Sequence, residues 1–321
     1  MKQAVIDLGT NTFHLMIVRK RPDQTYETLF RESRPAKIGR AAAGGGGINQ
    51  RLITDDAIAR ALSVLTYFRK VLDQHQIDPA QVAVFGTSAI RVAQNQQAFV
   101  ERVRAETGLR IRVISGDEEA SLIYKGVRAS GALTDETALI MDIGGGSVEF
   151  IIAGGDGSGN DAQDRLLWKQ SFEIGGQRLM ERFMGEADTF SPAAIGRLQS
   201  YLQEQLLPLT NAIHQYLPTV LVGSSGTFDT LVDMHYQHEQ GVWPPAGQAA
   251  FALPLTEFYR SYELLLTRDR AGRMAIPGMI ELRVDMIVVA VVLIDFVLRT
   301  YGINQIRVST YALKEGALVE I

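Results

Sequence analysis

Leu139-Ile140-Met141-Asp142-Ile143-Gly144-Gly145-Gly146-Ser147-Val148-Glu149 decides how this chain is read. The apolar run from Ala138 to Ile143 predicts a buried strand. Gly144 to Ser147 is a turn, and Val148 to Ile152 reads as the returning strand. The same design stands near the N-terminus. Ala4-Val5-Ile6-Asp7-Leu8-Gly9-Thr10-Asn11 closes one apolar run, and Thr12 to Val18 forms a second. In each copy an Asp ends the first strand and a glycine follows two residues later. Two such hairpins, one in each half, predict a duplicated α/β domain with a cleft between the copies.

Other elements extend from these hairpins. Leu29 to Ile38 would add a third strand to the first. Asp55 to Leu72 places Ile58, Leu62, Leu65, Phe68 and Leu72 on one helical face, with Thr54 as N-cap and two aspartates at the positive end. Val82 to Phe85 and Ile111 to Ile114 read as strands. Ser115 with Glu118 fits a capping box that opens a helix to about Val127. In the second half, Leu166 to Phe172 reads as a third strand, after a polar loop from Gly154 to Asp164. Gly176 to Phe183 and Pro192 to Leu217 read as helices, the latter split or kinked at Pro208. Thr219 to Val222 and Gln305 to Ser309 are further strands, and Tyr311 to Ile321 a closing helix. Arg40 to Gly47 has no packing capacity, and reads as a mobile connection or as a flap that closes on a ligand.

Composition narrows the classes. A chain of 321 residues exceeds what one core usually serves, so two domains are expected. With 32 Lys and Arg against 36 Asp and Glu, the net charge of −4 exerts no general pull on nucleic acid or anionic membrane. The absence of cysteine removes disulfides, thiolate catalysis and Cys-ligated zinc or iron–sulfur sites. Asp7 interrupts the N-terminal apolar run, so no signal peptide is expected. The apolar stretch at Met286 to Ile294 is broken by Asp295 and falls short of the roughly 20 residues of a membrane span. A cytoplasmic protein without nucleic-acid or membrane partners is the expectation.

The Asp-tipped turns carry the chemistry. Glycine lets a turn's amides converge on one anion. A carboxylate beside them can hold Mg²⁺ against that anion. One Asp-x-Gly is common in plain turns; the pair at Asp7 and Asp142 reads as a phosphate clamp, against the alternative of two ordinary hairpins. Glu118 is accounted for by the cap, which leaves Glu119 free to polarise a water as general base. Arg91, after Gly86-Thr87-Ser88, suits bidentate phosphate binding or is a surface arginine. Gly223-Ser224-Ser225-Gly226-Thr227 ends a strand and starts a helix, another anion-friendly turn. Glu281, Arg283 and Asp285 read as charges at the start of the apolar helix. His235 and His238 share a helix face, but no third ligand lies near them in sequence, so they are not read as a metal site. P-loop and dinucleotide fingerprints are absent.

Asp7-Leu-Gly-Thr-Asn-Thr-Phe-His-Leu, Gly86-Thr-Ser-Ala-Ile-Arg91, Ile114-Ser-Gly-Asp-Glu-Glu119, Met141-Asp-Ile-Gly-Gly-Gly-Ser-Val-Glu149 and Val222-Gly-Ser-Ser-Gly-Thr227 stand in order along the chain. Together they resemble the exopolyphosphatase and guanosine pentaphosphate phosphohydrolase family, from residue 4 to about 320. The resemblance implies two ribonuclease-H-like domains of the actin, sugar kinase and acetate kinase superfamily, closing over phosphates. It implies Glu119 as general base, Asp142 and Glu149 as acidic groups at the reacting phosphate, and Asp7 and Asp142 as Mg²⁺ ligands. Asp7, Gly9, Thr10, Asn11, Arg91, Gly144, Gly145, Gly146, Ser147, Gly223, Ser225, Gly226, Thr227 and Arg283 would contact phosphate. The chain departs from the family pattern at Arg40 to Gly47 and at Thr310, where many members have Asp.

These readings combine into one expectation. Domains at 1–128 and 129–310, with residues 311–321 packing back on the first, release terminal phosphate from polyphosphate or guanosine pentaphosphate with Mg²⁺. A general nucleoside-triphosphate phosphohydrolase and a non-catalytic nucleotide or polyphosphate sensor are the alternatives. Longer relatives append a further helical domain. The short two-domain form predicts a preference for short polyphosphate or a nucleotide, unless a homodimer completes a longer channel.

Overall fold

The structure, a computed structural model, describes residues 2–23, 25–41, 45–154, 165–185, 188–224 and 226–320. The first half runs β1 (Lys2–Leu8), β2 (Thr12–Lys20), β3 (Tyr26–Pro35), α1 (Asp55–Gln74), β4 (Ala83–Gly86), α2 (Ser88–Arg91), α3 (Gln96–Thr107), β5 (Ile111–Val113) and α4 (Gly116–Ala129). The second runs β6 (Ala138–Ile143), β7 (Val148–Ala153), β8 (Leu166–Phe172), α5 (Gly176–Leu179), α6 (Pro192–Gln205), α7 (Leu207–Tyr216), β9 (Val220–Ser224), α8 (Gly226–Gln240), β10 (Ala250–Leu253), α9 (Leu255–Thr267), α10 (Arg270–Met274), α11 (Ile287–Tyr301), β11 (Ile306–Ser309) and α12 (Leu313–Glu320).

The sheets repeat one another. The first has the order β3-β2-β1-β4-β5, antiparallel across the hairpin strands and parallel from β1 through β5. The second has β8-β7-β6-β9-β11 with the same directions, plus β10 antiparallel outside β11. This is the duplicated ribonuclease-H-like arrangement that the two hairpins and the resemblance predicted. The duplication extends to register: Asp7 pairs across its hairpin with His14, and Asp142 pairs with Glu149.

Burial follows the strand pattern. The outer face of the first sheet packs Ile6, Leu8, Leu15 and Ile17 against α1 and α3, and that of the second packs Leu139, Met141 and Phe150 against α6, α8 and α11. Helix α11 is buried almost all round, which explains its unbroken apolar sequence. Among the described residues no helix is long and apolar enough to cross a membrane.

Between the sheets lies a third apolar layer. Val5, Met16 and Phe85 face it from one side, and Ile140, Ile151 and Val222 from the other. Its filling comes from Leu122, Ile123 and Val127 of α4 and Leu313, Ala317 and Leu318 of α12. Helix α4, which follows the first sheet, packs on β7 and β8; α12, which follows the second, packs on β1. The two helices cross at glycines. A side-chain carbon on Gly126 would land on the Ala312 carbonyl oxygen, and one on Gly316 on that of Leu122.

Several expectations need correction. The third strand lies at Tyr26–Pro35, earlier than Leu29 to Ile38. The helix at Gly176 gives way after Leu179 to a π-helical turn over Met180–Met184. Ser115 Oγ caps the Glu118 N–H at 3.1 Å, but the Glu118 carboxylate pairs with Arg112 instead of completing the box. The described end of the 40–47 loop is knitted down: Gly47 N donates to Leu52 O at 2.9 Å and Ile48 N to Gly39 O at 2.8 Å. Residues 42–44 of that loop and 155–164 of the polar loop lie outside the described residues.

Candidate active site

The two hairpin turns share one geometry. Gly9 N donates to Thr12 O at 3.1 Å, and Gly144 N donates to Ser147 O at 3.0 Å. Each turn therefore presents its remaining amides beyond the strand ends. The second turn comes directly against the first half. A side-chain carbon at Gly146 would lie 2.5 Å from Ser88 Oγ and 2.6 Å from Thr10 Oγ1, so only glycine permits this approach.

Both turns open onto one cavity of about 310 Å³. Asp7, Gly9, Thr10, Asn11, Glu119, Asp142, Gly144, Gly145, Gly146, Ser147, Glu149, Gly226 and Arg283 all line it. Three of the expected phosphate residues do not. Gly223 lies within β9, where a side chain would strike the Phe228 ring, and Thr227 is buried in the start of α8. Arg91 stands behind Glu119, donating from Nη1 to Glu119 Oε2 at 2.7 Å. Ser225 lies outside the described residues.

Six acidic residues line the cavity, Asp229 and Asp233 of α8 and the four expected from sequence. Burial, then the charge of Glu119, pushes Asp7 up to about 7. Burial raises Asp142 to about 7 as well, against the pull of Ser224, whose Oγ donates to Asp142 Oδ2 at 3.0 Å. Burial also raises Glu119, while Arg91 opposes the rise. Glu149 is held well above the usual carboxylate range by burial and by Glu119 and Asp142, although Ser171 donates to it at 2.6 Å.

Cations face them. Arg283 lies over Gly226, in the space where a side chain would otherwise stand. Among the described residues its guanidinium makes no hydrogen bond or close ion pair, although the charges of Asp229 and Asp142 act on it. Buried guanidinium donors are costly to leave unmet, and here they point to an anion. Lys314, Arg31 and His14 also line the cavity and were not singled out from sequence. Burial, with Lys314 and Arg283 close by, pushes His14 well below its usual range. A signal for His14 existed: it occupies in the first hairpin the place that Glu149 occupies in the second.

The site suits a divalent cation. Asp7 Oδ1 is buried without a hydrogen-bond partner, and each aspartate sits where a positive charge would relieve its burial. Magnesium uses one or two protein carboxylates and takes its other ligands from water and phosphate, which matches this sparse donor set. The histidine pair gains a neighbour that sequence spacing did not show. The fold brings Glu257 of α9 to His238 at 3.2 Å, forming with Glu239 a surface cluster with metal-ligand spacing, away from the cleft.

Comparison with known proteins agrees with this geometry. The family profile described as the Ppx/GppA phosphatase family matches residues 16–321. An exopolyphosphatase from Cytophaga hutchinsonii is 43% identical, and its crystal structure aligns over 99% of this chain and 97% of its own with a TM-score of 0.90. A Ppx/GppA family member from Aquifex aeolicus, 22% identical, shares the fold, with a TM-score of 0.75 over 100% of this chain and 97% of that one. A bifunctional 3-dehydroquinate synthase/phosphatase from Fusobacterium nucleatum subsp. nucleatum is 28% identical over 326 residues, 99% of this chain but 46% of that protein. The chain thus spans about half the length of that relative. Because the profile match begins within β2 and continues to the last residue, the chain belongs to the Ppx/GppA phosphatase family.

Proposed function

We propose that this chain releases terminal phosphate from polyphosphate or guanosine pentaphosphate by water attack, with Glu119 as general base and Mg²⁺ as cofactor. The observation that carries the reading is convergence. Two Asp-tipped glycine turns and Arg283 meet on one cavity beside a buried carboxylate at a helix start. The name of the Cytophaga relative supports the phosphoanhydride class of substrate.

In this reading the terminal phosphoryl group lies between the turns at 9–11 and 144–147. Arg283 and the turn amides bind its oxygens and orient it. Glu119 accepts a proton as a water oxygen bonds to phosphorus; the bond to the bridging oxygen breaks, and that oxygen leaves with the shortened chain. Asp7 and Asp142 would hold Mg²⁺, which when bound draws charge from the transferring group. The raised pKa of Glu119 suits a base, and Arg91, donating to it, opposes the rise. Division into domains 1–128 and 129–310 is part of the same proposal, supported by the packing of α12 on β1.

The test is phosphate release from tripolyphosphate, long polyphosphate and guanosine pentaphosphate, side by side, with Mg²⁺ and with EDTA. Release from at least one substrate, lost in EDTA, is expected. Binding without release from any of them would favour the sensor reading.

A further inference from the structure

Glu173 follows β8 and so belongs to the second half, yet most of its partners are elsewhere. Its Oε1 lies 3.3 Å from Arg91 Nη2, and its Oε2 accepts from Ser88 Oγ at 2.8 Å. Ser88 and Arg91 are the two ends of α2, in the first half. On its own side it accepts from Arg178 Nη2 at 2.5 Å. Arg178 in turn donates to Gly146 O at 2.8 Å and, across the cleft, to Ile48 O at 3.1 Å. One carboxylate thus gathers donors from both sides of the cleft.

The far arm of Arg91 is what gives this consequence. Its Nη1 donates to Glu119 Oε2 at 2.7 Å and to Ile114 O at 3.3 Å. A guanidinium is planar, so fixing one edge fixes the other. With Glu173 on one edge and Glu119 on the other, Arg91 has one orientation. Without Glu173 only the Nη1 end stays anchored, by Glu119 and a longer bond to Ile114 O, and the guanidinium can pivot there and shift Glu119. The same strand end touches the other acid, because Ser171 donates to Glu149 at 2.6 Å and leaves no room for a side chain at Gly116 in the first turn of α4. Glu149 is held within its own sheet, whereas the setting of Glu119 through Arg91 depends on a carboxylate from the other half.

We infer that Glu173 is a positioning residue: through Arg91 it makes closure of the cleft and the setting of Glu119 a single event. The inference rests on the proposed role of Glu119 as base. Glu173 is 41% exposed, so Glu173→Gln removes charge without opening the core.

The experiment uses tripolyphosphate as substrate. Glu173→Gln should lower kcat about tenfold and leave KM within about twofold. Placed on Glu119→Gln, it should change the residual rate by less than about twofold, since both act through one base. An equal loss in both backgrounds, or a raised KM with kcat unchanged, would overturn the inference. Closure is read separately. The chain has no cysteine, so spin labels at Arg102→Cys and Ser200→Cys report one distance across the halves. Glu173→Gln should lengthen or broaden that distance, and an unaltered distribution counts against the latch. Failure of the hydrolase reading looks different: the unmutated protein would release no phosphate, whatever the labels show.

Discussion

Asp7 and Asp142 ionise only near pH 7, because burial strips water from both and Glu119 adds a negative neighbour. An aspartate in an unfolded chain titrates near 3.9. The native state therefore binds these protons more tightly. The stability they lend is full below about pH 4 and is lost as pH rises through about 7, the reverse of a salt-bridged carboxylate. In EDTA the melting temperature should fall between pH 5 and pH 8. Asp7→Asn and Asp142→Asn should each add roughly 1–3 kcal/mol at pH 8 in EDTA, and each should shrink the gain given by Mg²⁺. A melting temperature that climbs with pH in EDTA would contradict this account. Glu119→Gln should cut turnover by about 10²- to 10⁴-fold while retaining substrate binding. Glu118→Gln is its control: it loses an exposed pair with Arg112, worth less than about 1 kcal/mol, and should keep turnover. Wild-type turnover in Glu119→Gln would remove that residue from the mechanism.

Helix α8 shows how an element's first residue sets a site. A methyl on Gly226 would occupy the place of the Arg283 guanidinium. Gly226→Ala should displace that group and raise KM about tenfold, the scale of one charge-assisted hydrogen bond. Circular dichroism should stay unchanged, and an unaltered KM would mean that Arg283 does not hold substrate. Elements with local signals were legible in sequence. Thr54 caps α1 as its spacing foretold, and Pro208 divides α6 from α7. Strand β10 was not legible, because its four residues become a strand only by pairing with β11. The site divides the same way. Asp7, Asp142 and Glu119 were readable from strand ends and a helix start. Glu173 was not, because its meaning lies in partners 82 and 85 residues away. Arg91 was found, but its direction toward Glu119 is a tertiary fact.

The whole molecule repeats one unit, and that was legible because each copy carries its own Asp-tipped hairpin. The exchange of helices was less so: residues 311–321 were expected to pack back on the first domain, but nothing in the sequence of α4 announces that it covers the second sheet. Since α4 and α12 fill one layer shared by both sheets, unfolding should be one cooperative step, with far- and near-ultraviolet dichroism changing together. Two separated transitions would show halves that stand alone. The crossing at Gly126 and Gly316 also bears on how the protein is made. On a ribosome, the first sheet emerges early with Val5, Met16 and Phe85 uncovered, because the helix that closes them is residues 313–320. The inner face of the N-terminal half must wait until residues 313–320 have been made before it is sealed, a long exposure in which a nascent-chain chaperone would find its binding site.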